Sequence, residues 1–216
     1  MREKSLAAFI SSAILLSILA IIAYQPFIPY ENKFSWGLEL QDEFTYEIGV
    51  FGVYGTNWNE ISGPVPFEEL NQTRILAKIT YLPSLENSST SEAFVDNVVN
   101  PMKVECRLAS GSELDPDYQT SLERFISRCI LPLGDFAFID VLFPDECLQS
   151  GISYCAKQHD DHFRFGHRYF GVDVGYDWYS NNSLSTGLPF IITYHYVNLH
   201  PPIIWANYYV SLTLID

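Results

Sequence analysis

The densest group of side chains that could carry chemistry lies between residues 159 and 167. His159, Asp161, His162 and His167 fall within this short segment. Imidazole nitrogens and carboxylate oxygens are common ligands of divalent metal ions. A solvated turn ahead of a strand explains the same residues, and we favour it because the segment lacks a His-Glu-x-x-His motif. A divalent-cation site, which would indicate a metal-dependent hydrolase, is the alternative.

Motifs of other enzyme classes are missing from the sequence. The chain has no Gly-x-Ser-x-Gly nucleophile elbow and no glycine-rich motif for phosphates or dinucleotides. The sequence therefore nominates no catalytic residue and no organic cofactor. We expect a non-enzymatic protein, with a divalent cation at the histidine cluster as the alternative.

Four cysteines indicate a disulfide framework. Cys106, Cys129, Cys147 and Cys155 are separated by 22, 17 and 7 residues, which matches no zinc-site template. In an exported domain such cysteines should pair. Three connectivities are open, and we favour Cys106–Cys129 and Cys147–Cys155 because each pair is adjacent in the sequence.

Three N-x-S/T sequons also fit an exported domain. They begin at Asn71, Asn87 and Asn181, and each is a candidate for N-glycosylation.

The C-terminal third is rich in aromatic side chains. On alternating strands some of them would point outward, where they could stack on sugars or line an apolar groove. The candidates for such a groove are Trp178, Tyr194, Tyr196 and Trp205. Ordinary cross-strand packing is the competing interpretation, and we favour it.

An uncharged stretch at residues 6–24 is long enough to cross a bilayer as a helix. Arg2 and Lys4 precede it, and positive flanks stay on the cytoplasmic side. We therefore predict a single-pass anchor with the N-terminus inside and the remainder outside. A cleaved secretory signal is the main alternative, and a pilin-like filament subunit is a third.

The charge balance narrows the range of partners. The chain has 12 Lys+Arg against 26 Asp+Glu, a net charge of −14, so it lacks the basic surface that nucleic-acid binding needs.

We divide the chain into a cytoplasmic stub and anchor at residues 1–24, a spacer at 25–34 and an extracellular domain at 35–216.

Alternating and helical patterns predict an α+β fold for the extracellular domain. Strands are expected near residues 43–50, 74–82, 102–108, 163–175, 188–197 and 205–215. Asp115-Pro116 opens the main helix, about 116–130, and Asp135 caps a short helix at 136–142. Residues 147–155 read as a stapled loop and 177–186 as a turn. The prediction is an antiparallel, curved sheet packed on one main helix, with a β-sandwich as the alternative.

Short motifs resemble a family of archaeal surface proteins held by a membrane anchor, the choice-of-anchor S class. Trp36-Gly37 followed by DEFTYEI at residues 42–48 resembles the start of these proteins. LPLGDF at residues 131–136, and Tyr179 followed by Thr186-Gly187-Leu188, are also similar. The resemblance implies an archaeal cell-surface protein without an assigned activity.

Three classes of function follow from these observations. The leading hypothesis is a non-enzymatic surface domain for adhesion, envelope assembly or ligand capture, with an envelope protein, a glycan or an apolar molecule as partner. The second is a lipid or apolar-ligand carrier with a cavity between sheet and helix. The third is the metal-dependent hydrolase.

Overall fold

Eight antiparallel strands organise the part of the chain that the computed structural model describes, which is residues 34–55, 65–86, 88–148, 151–198 and 205–215. The strands are β1 Glu43–Gly55, β2 Arg74–Tyr81, β3 Lys103–Leu108, β4 Gly151–Gln158, β5 His162–Phe170, β6 Val174–Ser183, β7 Pro189–Asn198 and β8 Trp205–Leu214. They form one sheet in the order β3-β2-β1-β8-β7-β6-β5-β4. The predicted antiparallel sheet domain is confirmed, and the described strands do not form a two-sheet sandwich.

The predicted membrane anchor, residues 6–24, lies outside the described residues, as does almost all of the spacer. Within the described ranges, no helix is both long and apolar enough to cross a bilayer.

Strand β1 joins the two halves of the sheet because it pairs with β2 on one side and β8 on the other. Its sequence alternates, so that Phe44, Tyr46 and Ile48 are buried between more exposed neighbours. Ile48 lies opposite Leu212 of β8, which is also buried. The apolar residues of both strands therefore share one face, which we call the inner face.

Helices cover the inner face. Helix α1, Ser91–Phe94, continues into a π-helical turn, Val95–Val99, while α2 is Pro116–Cys129 and α3 is Phe136–Leu142. The Asp115 carboxylate accepts the backbone N–H of Asp117 at 2.9 Å, and Pro116 occupies the first helical turn. These are the start signals that the sequence offers for α2.

Helix α2 packs against both halves of the sheet. Glu123 on this helix accepts the backbone N–H of Cys106 in β3, and the Phe125 ring stacks on Tyr194 of β7 at 4.5 Å. Residues two apart project from nearly opposite flanks of a helix. In a flat sheet β3 and β7 would lie about 19 Å apart, which exceeds the helix diameter of about 10–12 Å. Helix α2 therefore contacts strands on both sides of β1 and β8, an arrangement that a curved sheet favours.

Aromatic side chains pack between the described helices and the inner face, although an open cavity of about 620 Å³ remains between α1, the end of α3 and β4. Phe94 of α1 and Phe165 of β5 are fully buried, with ring centroids 6.4 Å apart. Phe143 packs edge-on against Phe165 at 5.5 Å, and Tyr46 reaches from β1 to donate its hydroxyl to the Pro189 carbonyl at 2.9 Å. A carrier that encloses an apolar ligand in the core would need an empty volume where these side chains lie.

Two segments differ from the sequence prediction. Residues 151–158 form β4 rather than the second half of a stapled loop, and residues 177–183 belong to β6 rather than to a turn. The β6 sequence is rich in Asn, Ser and Asp, residues that favour turns locally. Pairing with β5 and β7 on its two sides overrides that preference.

Candidate functional site

The outer face of the sheet, opposite the helices, carries a cluster of polar side chains on β5, β6 and β7. In β5, Phe163 and Phe165 point inward, so His162, Arg164 and Arg168 belong to the outer face. The register places Arg164 opposite Asn181 of β6. It also places Tyr179 of β6 opposite Thr193 of β7. Three adjacent strands therefore bring their polar residues together at one place.

These residues line a cavity of about 410 Å³ that we call the outer-face pocket. Its size lies within the range of about 300–1,000 Å³ that is usual for small-molecule sites. The lining residues are His159, His162, Arg164, Tyr179, Asn181, Ile191 and Thr193. No Asp or Glu is among them, although the chain as a whole has 26 such residues. The pocket therefore offers cationic and hydrogen-bonding groups in an acidic protein.

Arg164 is positioned by the ring of Tyr179. Its guanidinium lies 4.2 Å from the ring centroid, within cation–π distance. The Tyr179 ring lies over Gly166, where the Cβ of any other residue would overlap it. Glycine at position 166 thus lets the ring lie flat on the sheet and hold the guanidinium at the pocket.

A polar network borders the pocket and fixes the other edge of Tyr179. Arg168 donates from Nη2 to the Tyr179 hydroxyl at 3.2 Å and to the Asp177 carboxylate at 3.3 Å. Asp177 also lies 3.7 Å from His195 Nδ1, and His195 Nε2 lies 3.0 Å from Asn207 Oδ1. The network spans β5 to β8 and leaves Tyr179 little freedom to move.

The pocket wall comes from the β4–β5 turn. His159 and His162 stack with their ring centroids 4.5 Å apart. Asp161 lies 2.7 Å from His162 Nδ1, and this hydrogen bond lowers the pKa of the Asp161 carboxyl below its ordinary value. Since Asp161 engages one nitrogen of His162, the other ring nitrogen is the one left for a ligand.

His167 does not join the other predicted metal ligands. It is five residues beyond His162 on the same strand, and an odd separation places the two side chains on opposite faces. His167 is only 6% exposed and stacks on Trp178 at 5.9 Å. Within the described ranges, no three His, Cys, Asp or Glu side chains are arranged to hold a metal ion. The four-residue site predicted at His159, Asp161, His162 and His167 is therefore not assembled.

Burial also sets the protonation of His167. Removal from water lowers its pKa to about 4, and the positive charge of Arg128 acts in the same direction. Its Nδ1 atom is buried without a hydrogen-bond partner among the described residues. His167 is thus a neutral core side chain at physiological pH.

One of the two predicted disulfides forms. Cys147 and Cys155 are bonded, with their Cα atoms 4.9 Å apart. Cys106 and Cys129 are instead buried free thiols, which differs from our prediction. Both thiols lie in the core, and burial raises the pKa of Cys129 to about 12. Facing the same core brought them into one hydrophobic cluster without joining their sulfur atoms.

The three sequons lie in different settings. Asn71 is exposed, and its side-chain oxygen accepts the backbone N–H of Val50 at 2.8 Å. Asn87 lies outside the described residues. Asn181 lines the outer-face pocket, so a glycan attached there would occupy the volume that a ligand needs.

The aromatic residues proposed for a ligand groove lie elsewhere. Trp178 is 4% exposed within the core, Tyr194 stacks on Phe125 of α2, and Tyr196 packs against Tyr208 at 5.3 Å. The side chain of Trp205 is outside the described set. The three described residues serve cross-strand and helix packing, the interpretation favoured from the sequence.

Sequence reasoning missed Arg164 and Arg168 and did not connect Tyr179 with them. The signal was the alternation in β5, where His162, Arg164, Gly166 and Arg168 occupy every second position. Recognising that β6 is a strand was also necessary, because it supplies Tyr179 and Asn181.

Comparison with known proteins returns no match: no family model, no curated protein and no solved structure is similar to this chain. The resemblance to anchored surface proteins stays a prediction.

Proposed function

We propose that this protein is a non-enzymatic ligand-binding domain displayed outside the cell on an N-terminal membrane anchor, and that the outer-face pocket is its binding site. The observation that carries the proposal is the position of Arg164. Its guanidinium is exposed, stacked on Tyr179, and has no carboxylate within ion-pair distance among the described residues. A fixed cation without an internal partner is suited to an external one.

His195, which borders the pocket, is engaged on both sides and is not placed to act as a general base. A general base must keep a ring nitrogen free to reach the substrate. His195 has a carboxylate beside one nitrogen, Asn207 beside the other, and Tyr209 stacked on its ring at 4.1 Å. Its contacts therefore support a role in holding Asp177 and Arg168 in place.

The packed aromatic cluster beneath the helices supports a surface binder over a lipid carrier that encloses its ligand in the core. Phe94, Phe143 and Phe165 occupy the volume that an apolar ligand would need. Opening it would separate ring pairs that each contribute about 0.5–1.5 kcal/mol beyond their buried area.

Display outside the cell rests on the sequence of the N-terminus and on the disulfide. Residues 6–24 are uncharged, and basic residues precede them. The Cys147–Cys155 bond is of a kind that persists in oxidising compartments. Adhesion, envelope assembly or nutrient capture would each use such a displayed pocket.

A printed glycan array tests the proposal. The full-length chain is purified in a polyoxyethylene detergent, which has no sugar headgroup, and compared with Ile191→Trp. Ile191 lines the pocket and is 38% exposed, so an indole there should fill the cavity. We expect the wild type to bind at least one glycan and the variant to lose that signal by tenfold or more.

Ile152→Trp is the matched control, because Ile152 lies on β4 away from the pocket and is 70% exposed. It should bind as the wild type does. Equal binding by wild type and Ile191→Trp, or a wild type that binds no glycan, would contradict the proposal.

A further inference from the structure

We propose that the ligand of the outer-face pocket is a carboxylated sugar, of the uronic acid type, whose carboxylate pairs with Arg164. This inference rests on the proposed function and assigns a chemical class to its ligand.

The charge of the pocket favours an anionic group. The lining contains one arginine and two histidines and no carboxylate. Elsewhere among the described residues, Arg107 pairs with Glu43, Lys157 with Asp145 and Arg168 with Asp177. Lys78, Lys103 and Arg124 are also in no ion pair among the described residues, but the cavities that they line contain glutamates. The lining around Arg164 contains no carboxylate.

The geometry of Arg164 favours a planar anion. The guanidinium lies over the Tyr179 ring, 4.2 Å from its centroid, and this contact holds it beside the pocket. A carboxylate accepts two parallel N–H bonds from the edge of a guanidinium. Lysine at this position would supply the positive charge but not the two parallel N–H donors.

The remaining lining favours a ligand rich in hydroxyl groups. Asn181 and Thr193 offer amide and hydroxyl groups that both donate and accept, and the free nitrogen of His162 adds another partner. Ile191 gives an apolar patch beside them, suited to the C–H face of a sugar ring. A simple carboxylate such as acetate would engage Arg164 and leave these groups unused.

The test titrates three probes into the full-length chain by isothermal calorimetry in the same detergent. Glucuronic acid carries both features, its methyl ester keeps the sugar without the charge, and acetate keeps the charge without the sugar. We expect the acid to bind at least tenfold more tightly than either of the others. A charge-assisted hydrogen bond is worth about tenfold or more in affinity.

Arg164→Gln should bind the acid no better than the ester, and Arg164→Lys should fall between this variant and the wild type. Arg107→Gln removes the same charge on β3, where Arg107 pairs with exposed Glu43, and should bind as the wild type does. Near-ultraviolet circular dichroism checks that each variant is folded.

An ester that binds as tightly as the acid, acetate that equals the acid, or an acid whose affinity is unchanged in Arg164→Gln would each overturn this inference. A glycan signal that Ile191→Trp abolishes would leave the proposed function standing in those cases. Absence of binding by all three probes overturns the inference as well, and the array then decides the proposed function separately.

Discussion

A single buried imidazole makes the stability of this domain depend on pH. The pKa of His167 is about 4 in the folded chain, whereas the ordinary value in an unfolded chain is about 6.5. Below about pH 6.5 the unfolded state therefore takes up a proton that the folded state does not. The free energy of unfolding is therefore at its full value above about pH 6.5 and decreases as the pH falls towards 4.

His167→Phe should remove this dependence and keep the stacking on Trp178 and the edge-on contact with Tyr154. We expect the wild type to lose about 2–3 kcal/mol more than the variant between pH 7 and pH 4. Urea unfolding of both proteins at pH 7, 5.5 and 4 measures the difference. Parallel curves for the two proteins would show that folding does not lower the pKa of His167.

The outer-face pocket shows how far single residues are predictable from sequence. His159 and His162 were identified from their types and spacing, and the structure does bring them together. Arg164 and Tyr179 were not linked because the relation depends on the register of β5 against β6. The β5–β6 turn lies at residues 171–173, whereas the sequence prediction placed a turn at 177–186, so the pairing of the two strands could not be derived.

Among the elements, α2 has the role in the core that its sequence predicts, but with a different distribution of contacts. Leu122 and Ile126 are fully buried, whereas Phe125 is half-buried and stacks on Tyr194. Glu123 does not project freely into solvent. It instead accepts hydrogen bonds from Cys106 N at 3.2 Å and from Gln119 Nε2 at 2.9 Å.

Glu123→Ala should destabilise the domain, because it removes the acceptor that covers a backbone N–H of edge strand β3. We expect a cost of about 1–3 kcal/mol. Glu123→Gln keeps an acceptor and should retain most of the stability. Arg124→Ala, at the exposed neighbouring position, should change stability by no more than about 0.5 kcal/mol.

Urea unfolding midpoints of the three variants give the comparison. If Glu123→Ala and Arg124→Ala shift the midpoint equally, Glu123 does not protect the edge of the sheet.

The helix cap at Asp115 and the alternating strands β1, β2 and β8 could be predicted from the sequence because their signals are local. The strand character of β6 was hidden, since only its two neighbours impose it.

At the scale of the whole molecule, the pocket contrasts with the rest of the chain. A net charge of −14 repels anions over a distance of about 8–10 Å at physiological salt. Within that field, the outer-face pocket concentrates cationic and hydroxyl-binding groups. Weak, non-specific binding of anions is thereby disfavoured, and an acidic ligand must gain its affinity from the contacts in the pocket.

The two faces of the sheet have different roles, core packing on one side and ligand binding on the other. The inner face packs on α2 and holds the buried aromatic side chains, whereas the outer face carries the polar residues that line the pocket. Loss of an outer-face side chain should therefore alter binding more than stability. The fold class was predictable from the alternation of strands and the single long amphipathic helix, because one apolar sheet face needs a covering layer.

Mapping of backbone amide shifts by nuclear magnetic resonance tests the central claim most directly. The isotope-labelled full-length chain is titrated with the glycan that binds best on the array. If the outer face is the binding site, the largest shifts fall on Arg164, Tyr179 and Thr193, and Phe125 and Tyr194 change little. Largest shifts at Phe125 and Tyr194 would place the ligand on the inner face and contradict the account.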